Sequence, residues 1–159
     1  MQLRIAGVVA ESAVDGPGLR MTVFTQGCSR HCPDCHNPHT HDPDGGTWAD
    51  TAELLARFEA NPLLCGLTVS GGEPFLQAAA VAELAMDIKK LGKTIVLYSG
   101  YTFEELQTLS QKDVNVARLL AYTDILIDGP FLKAERDLNL AFRGSRNQRI
   151  IELTQQGRE

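Results

Sequence analysis

The chain has 159 residues, which at the usual size of about 100 to 200 residues per domain predicts a single domain over residues 1–159. Fifteen lysines and arginines against twenty aspartates and glutamates give a net charge of −5. A protein without a dense basic face cannot neutralise many phosphates, so nucleic acid is not an expected partner. The sequence has no run of about 18 apolar residues, so we expect no membrane segment and a cytoplasmic protein.

The first half of the chain predicts two strands separated by a helix. β-Branched and aromatic residues alternate with polar ones over 20–26, which predicts a strand ending at Gly27. Asp50 and Glu53 have the spacing of a capping box, and they predict a helix that stops near Asn61. A second strand is predicted over 65–70. Cys65 begins this strand without a neighbouring cysteine, and a buried, inert thiol is the favoured interpretation over a redox role.

In the second half, helices and strands continue to alternate. Val81, Leu84, Ala85 and Ile88 recur at helical spacing and predict a helix over 76–91, with Gly92 closing its carboxyl end. Further helices are predicted after the capping box of Thr102 and around 114–122, and further strands over 94–98, 124–128 and 149–153.

Alternating strands and helices predict an α/β fold with a mainly parallel sheet. A complete eight-stranded α/β barrel takes about 250 residues, so a chain of this length predicts a partial, open barrel. Four unusual sequences each follow the carboxyl end of a predicted strand: 28–35, 71–74, 99–101 and 128–131. Because ligands of α/β sheets collect at that edge, we expect the functional site there.

Three cysteines lie within eight residues, at Cys28, Cys32 and Cys35. Thiolates bind iron–sulfur clusters and zinc far better than they bind hard cations. A four-iron cluster held by three cysteines leaves one iron open to a substrate or cofactor. The alternative is a zinc-stabilised, non-catalytic binding module whose fourth ligand is a nearby histidine, namely His31, His36 or His39.

The cysteine spacing C-x3-C-x2-C, together with Gly71-Gly72-Glu73-Pro74, resembles the two motifs of radical S-adenosylmethionine enzymes. Four further segments narrow the resemblance to the activases of glycyl-radical enzymes, and they extend it over nearly the whole chain: 15–20, 98–101, 128–131 and 143–148.

The resemblance implies a radical S-adenosylmethionine oxidoreductase with a 4Fe-4S cluster on the three clustered cysteines. The open iron would bind the amino and carboxylate groups of S-adenosyl-L-methionine, with no catalytic residue beyond the cluster and cofactor. The backbone of Gly71 and Gly72 would approach the methionine moiety, and Gly72 or Glu73 would engage its ammonium group.

Three weaker cofactor contacts are implied by position. Ser99 and Asp128 follow matching strand ends and are expected to make polar contacts with S-adenosylmethionine. Many related enzymes have an aromatic residue immediately before the third cysteine, where this chain has Asp34. His36, directly after that cysteine, is therefore a candidate to stack near the adenine, against the alternative of a solvated loop histidine.

The implied activity is reductive cleavage of S-adenosylmethionine followed by generation of a glycyl radical on a partner enzyme. The implied partner is an anaerobic (class III) ribonucleoside-triphosphate reductase, whose glycine-bearing C-terminal loop is the substrate, with an external reductant such as flavodoxin. Alternatives within the same chemistry are another glycyl-radical enzyme or a small-molecule substrate. Basic residues over 133–149 form either a solvated surface or a docking surface for the reductase.

Overall fold

A computed structural model describes residues 1–27, 42, 44–130, 132, 135–137, 142–143 and 145–153. The predicted cluster ligands Cys28, Cys32 and Cys35, and the predicted adenine contact His36, lie outside the described residues. Within the described ranges, no helix has the length and apolar content needed to cross a membrane.

The described residues form an α/β fold around one sheet of seven strands. The strands are β1 (Gln2–Ser12), β2 (Arg20–Thr25), β3 (Thr47–Asp50), β4 (Gly66–Gly71), β5 (Thr94–Tyr98), β6 (Ile125–Asp128) and β7 (Arg149–Glu152). The helices are α1 (Thr51–Glu59), α2 (Ala78–Lys90), α3 (Phe103–Ser110) and α4 (Val114–Tyr122), and a 3-10 turn over Pro74–Gln77 precedes α2. The strand order is β3-β1-β2-β4-β5-β6-β7.

The sheet is mixed, so the prediction of a mainly parallel sheet is wrong. Strands β2, β4, β5 and β6 are parallel neighbours, whereas β1 is antiparallel to both β2 and β3, and β7 is antiparallel to β6. A parallel neighbour requires a crossover of a dozen or more residues, whereas an antiparallel neighbour can be joined by a short turn. The link between β1 and β2 is only residues 13–19, which is too short for a crossover.

The predicted helices are confirmed, with one shifted start. Thr102 and Glu105 form the predicted capping box of α3, and Gly92 has the positive φ of +77° expected of a glycine that closes a helix. The helix predicted from residue 76 begins instead at Ala78, because Pro74–Gln77 forms the tighter 3-10 turn. The carboxylate of Glu73 accepts a hydrogen bond from the Phe75 N–H at the start of that turn.

The two faces of the sheet have different characters. One face carries aliphatic strand residues that pack with α1 to α4 in a single apolar cluster: Met21, Val23, Leu67, Val69, Ile95 and Leu97. The alternate residues of the same strands, which include Arg20, Thr22, Thr68 and Tyr98, lie on the other face. The parallel strands β4, β5 and β6 all end at the same edge, so the loops that follow them are neighbours.

Candidate active site

The glycine loop, Gly71–Glu73, begins where β4 ends. Gly71 has a φ of +95°, and a Cβ at this position would lie 2.6 Å from both the backbone nitrogen and the backbone oxygen of Thr25. Only glycine combines this conformation with such close contact between backbones. The resemblance implies that the backbone of Gly71 and Gly72 approaches the methionine moiety of the cofactor, and at Gly71 the space that a Cβ would occupy is taken by the backbone of β2.

Two backbone hydrogen bonds connect the glycine loop to the segment that leads into the cysteines. The Gly72 N–H donates to the Thr25 carbonyl at 2.8 Å, and the Glu73 N–H donates to the Gly27 carbonyl at 2.7 Å. Gly27 directly precedes Cys28. Within the described part of the chain, no hydrogen bond reaches the Gly72 carbonyl.

The Glu73 side chain connects the loop after β4 to the loop after β5. Its carboxylate is 1% exposed and accepts hydrogen bonds from the Ser99 hydroxyl, at 3.0 Å to each oxygen, and from the Gly100 N–H at 2.7 Å. Hydrogen bonds to an ionised carboxylate are short and stronger than those between neutral groups. Glu73 and Ser99, both predicted cofactor contacts, therefore lie together, and each holds the other's loop in place.

Asp128, the third predicted strand-end contact, is bound within the chain. It is 1% exposed and accepts hydrogen bonds from the Phe103 N–H at 2.7 Å, from the Arg149 N–H at 3.3 Å and from the Arg149 Nε at 3.1 Å. Arg149 Nη2 also pairs with the same carboxylate. Asp128 thus joins the ends of β6 and β7 to the start of α3.

Arg149 extends this network to the surface. Its two terminal nitrogens donate to the two carboxylate oxygens of Glu104 at 3.0 and 2.6 Å. The hydrogen bond from Arg149 lowers the pKa of Glu104, and the same interaction, followed by that with Asp128, raises the pKa of Arg149. The sequence placed Arg149 in a basic surface cluster without indicating these partners, since nothing in the spacing pairs residue 149 with 104 or 128.

At the opposite, amino end of the parallel strands, the Arg20 side chain is fully buried. Its guanidinium donates to the hydroxyls of Thr68 and Thr94 at 2.9 Å each, and to three backbone carbonyls at 2.9 to 3.0 Å, those of Pro17, Leu67 and Thr94. Burial lowers the pKa of Arg20 to about 10, and the nearby Cys65, Asp124 and Tyr98 oppose that shift. Arg20 is a structural group distant from the glycine loop along the strands.

The expectation that Cys65 is buried is wrong. Its thiol is free and exposed. Cys65 is the residue before β4, so it precedes the part of the strand that the helices cover. Tyr98, the last residue of β5, lies on the sheet face opposite the helices, where burial raises its pKa and the Asp15 carboxylate raises it further.

Comparison with known proteins gives consistent matches. The model of the 4Fe-4S single cluster domain family matches residues 14–151. The anaerobic ribonucleoside-triphosphate reductase-activating protein of Vibrio cholerae is 36% identical over 149 residues, covering 89% of this chain and 92% of the relative. The proteins of that name from Escherichia coli K12 and enterobacteria phage T4 are 30% and 32% identical, over 88% and 86% of this chain and 92% and 86% of their own lengths.

A solved structure shares the fold. The chain superimposes on QueE from Escherichia coli with a TM-score of 0.50 and 20% sequence identity, over 64% of this chain. The matched part is 54% of QueE, so this chain spans about half of that structure. At this identity, the likeness concerns the fold alone.

Proposed function

The chain belongs to the family of anaerobic ribonucleoside-triphosphate reductase-activating proteins, and from that premise we propose that it activates an anaerobic (class III) ribonucleotide reductase by generating a glycyl radical on it. The cofactors are a 4Fe-4S cluster and S-adenosylmethionine. The observation that carries the proposal is the 2.7 Å hydrogen bond from the Glu73 N–H to the Gly27 carbonyl. It brings the glycine loop next to the start of the cysteine segment, as a cofactor that contacts both requires.

Cys28, Cys32 and Cys35 are the residues that would hold the cluster, since three thiolates form the soft ligand set that iron–sulfur clusters prefer. When bound and reduced, the cluster would supply the electron for reductive cleavage of S-adenosylmethionine. This chain's own residues then have to hold the cofactor still, exclude water and admit the target glycine.

We assign the methionine end of the cofactor to the glycine loop. The Gly72 carbonyl is a backbone acceptor with no donor among the described residues, and an ammonium group is a suitable donor for it. The Glu73 carboxylate already accepts hydrogen bonds from Ser99 and Gly100, so its main effect is to fix the position of that carbonyl. Ser99 acts through Glu73 in the same way.

Asp128 and His36 remain in the proposal with different roles. Asp128 is bound by Arg149 and by the Phe103 N–H, so it acts by placing the loop after β6 at the rim of the site. His36 follows the third cysteine in sequence, and we propose that its ring stacks near the adenine.

The protein partner needs access to the cofactor, which an incomplete barrel would provide. We propose that the sheet face opposite the helices lines such a barrel, because polar side chains lie along it, including Thr22, Thr68 and Tyr98. An open side admits the glycine-bearing C-terminal loop of the reductase. The electron donor in this scheme is an external reductant such as flavodoxin, and the setting is the reducing cytoplasm.

The test uses protein reconstituted anaerobically with iron and sulfide. It is reduced and incubated with S-adenosylmethionine and the anaerobic reductase of the same organism, and the glycyl radical is measured by electron paramagnetic resonance. We expect a glycyl radical with the wild-type protein and with Cys65→Ala, and none with Cys32→Ala. Cys65→Ala is a matched control because Cys65 is an exposed cysteine outside the cluster motif.

Two other outcomes would contradict the proposal. A colourless protein that retains stoichiometric zinc would establish the non-catalytic binding module. Cleavage of S-adenosylmethionine without a glycyl radical on any anaerobic reductase of the organism would indicate another glycyl-radical enzyme or a small-molecule substrate.

A further inference from the structure

Gln77 makes an unusual set of contacts for a residue that begins a helix. It occupies the position before α2 but makes no capping hydrogen bond with its side chain. Instead its Oε1 accepts from the Arg4 N–H at 2.8 Å, and its Nε2 donates to the Arg4 carbonyl at 2.9 Å and to the Gln26 carbonyl at 3.3 Å. One side-chain amide thus pairs with both backbone groups of a β1 residue, as a neighbouring strand would.

Gln26 links Gln77 to Asp42, which follows the cysteine segment in the chain. Gln26 is the first residue after β2, which ends at Thr25, and it lies two positions before Cys28. Its side chain is buried, and its Nε2 donates to the Asp42 carbonyl at 2.7 Å. The residues just before and just after the cysteine segment are therefore joined through one glutamine.

The Arg4 side chain binds residues that follow the cysteine segment in the chain. Its Nε donates to the Gly45 carbonyl and its Nη2 to the Asp44 carbonyl, each at 2.5 Å, and its guanidinium lies 5.1 Å from the ring centre of Trp48. A guanidinium at that distance from an indole makes a cation–π contact. Gln77 therefore binds the backbone of Arg4, and the carbonyls of Asp44 and Gly45 bind its side chain.

These contacts meet at Gln77, which is only four residues from Glu73 in the same turn. We propose that Gln77 is the positioning residue that sets the cysteine segment against the glycine loop. The proposal rests on the proposed function, in which one cofactor has to reach the open iron and the Gly72 carbonyl at once. The hydrogen bonds from the Gly72 and Glu73 N–H groups to Thr25 and Gly27 fix the first part of this junction, and Gln77 adds a further connection at Gln26.

The first experiment needs no cofactor. Hydrogen exchange is measured on the cluster-free chain for the wild type, Gln77→Met and Gln107→Met. Gln107 is an exposed glutamine of α3, which makes it the matched control. We expect exchange of the amides at 44–46 to be at least about tenfold faster in Gln77→Met than in the control, because their support through Arg4 and Gln26 is weakened.

The second experiment uses the reconstituted protein. We expect Gln77→Met to lose iron to a chelator about tenfold faster than Gln107→Met and to bind S-adenosylmethionine about tenfold more weakly. Gln77→Glu keeps the acceptor for the Arg4 N–H but loses both donors, so it should show the same defects if the link to Gln26 matters. It also provides a second variant if Gln77→Met folds poorly.

Three results would overturn the proposal. One is equal exchange at 44–46 in Gln77→Met and Gln107→Met. Another is a lower melting temperature for both Gln77 variants with unchanged iron loss and cofactor affinity, which indicates a general structural role. The third is wild-type behaviour of Gln77→Glu in every measurement. Failure of the proposed function is separate, because it would appear in the wild type as absence of a cofactor-dependent change in the reduced-cluster spectrum.

Discussion

Arg20 lies at the amino ends of the parallel strands and Glu73 lies just beyond their carboxyl ends, and both side chains are almost fully buried. Arg20 donates to groups of β4 and β5 and to the turn before β2, so its partners lie in the strands or directly before them. Glu73 accepts from Ser99, Gly100 and Phe75, which lie in loops and turns beyond the strands. One charge holds strands together, and the other holds loops together.

Because their partners differ, we expect Arg20 to contribute mainly to stability and Glu73 mainly to the proposed cofactor site. Loss of the Arg20 contacts should weaken the sheet while leaving the loops at the opposite edge in place. Loss of the Glu73 contacts should free the loops after β4 and β5, and the first of these is the glycine loop that we propose binds the cofactor. Substitutions at the two ends should therefore divide differently between the free energy of unfolding and the affinity for S-adenosylmethionine.

The largest expected loss of stability is for Arg20→Met. The variant leaves several buried oxygens without their charged donor, and we expect the free energy of unfolding to fall by about 3 kcal/mol. Arg20→Lys should have a free energy of unfolding between those of the wild type and Arg20→Met. Its ammonium group keeps three hydrogen-bond donors but lacks the planar fork of a guanidinium. Urea denaturation of the cluster-free protein measures both. If folded Arg20→Met also bound S-adenosylmethionine more than about threefold more weakly, the proposed separation of the two ends would be wrong.

The next largest effect is expected for Glu73→Gln. The amide nitrogen replaces the oxygen that accepts from either the Gly100 N–H or the Phe75 N–H, so a donor faces a donor, and we expect a cost of about 2 kcal/mol in the free energy of unfolding. The affinity for S-adenosylmethionine should fall at least about tenfold, measured by titration of the reconstituted protein. Ser99→Ala, which removes one of the donors, should have a smaller effect on both. Unchanged affinity in Glu73→Gln would contradict the role given to this loop.

The sequence predicted five of the seven described strands, and the two misses have physical reasons. β1 contains register shifts between Ile5 and Gly7 and between Val9 and Ser12, which break the alternation that identifies a strand. β3 is as short as β6 and β7, but its sequence Thr-Trp-Ala-Asp has no run of β-branched or aliphatic residues to mark it as a strand. β2, β4, β5 and β6 were predictable because each is a run of β-branched and apolar residues next to a turn.

The site was predictable to the level of which loops meet, but not which side chains pair. Strand ends correctly placed Glu73 near Ser99, since parallel strands end at one edge. The partners of Asp128 and Gln77 were not predictable, because Arg149 is 21 positions from Asp128 and Arg4 is 73 positions from Gln77. Such pairs depend on strand order and register, which local patterns do not encode.

A smaller loss of stability is expected for Arg149→Met. Arg149 is 47% exposed on its side chain, so solvent weakens its pairing with Glu104, but Asp128 beneath it is buried. We expect the free energy of unfolding at pH 7 to fall by about 1 kcal/mol. Urea denaturation checks this value, and a loss above about 3 kcal/mol would show that this edge is as important to the fold as Arg20.

The pair of Arg149 and Glu104 also predicts how stability changes at low pH. The hydrogen bond from Arg149 lowers the pKa of Glu104, so its contribution to stability is present above the ordinary carboxyl pKa of about 4.3 and is lost as the pH falls through the lowered value. In Arg149→Met the Glu104 pKa should rise toward its ordinary value, as measured by NMR titration of the side-chain carbon. An unchanged pKa would mean that the pair does not form in solution.

The smallest effect is expected for Tyr98→Phe. None of the described residues forms a hydrogen bond with the Tyr98 hydroxyl, so removing it should change the free energy of unfolding at pH 7 by less than about 0.5 kcal/mol. Burial, and then the Asp15 carboxylate, raise the pKa of Tyr98. The stabilisation that comes from this raised pKa is therefore complete below the ordinary tyrosine pKa of about 10, and it is lost as the pH rises through the pKa of the folded state. Absorbance at about 295 nm should show a late-titrating tyrosine in the wild type that is absent from Tyr98→Phe, and a late component that persists in the variant would place the protected tyrosine elsewhere.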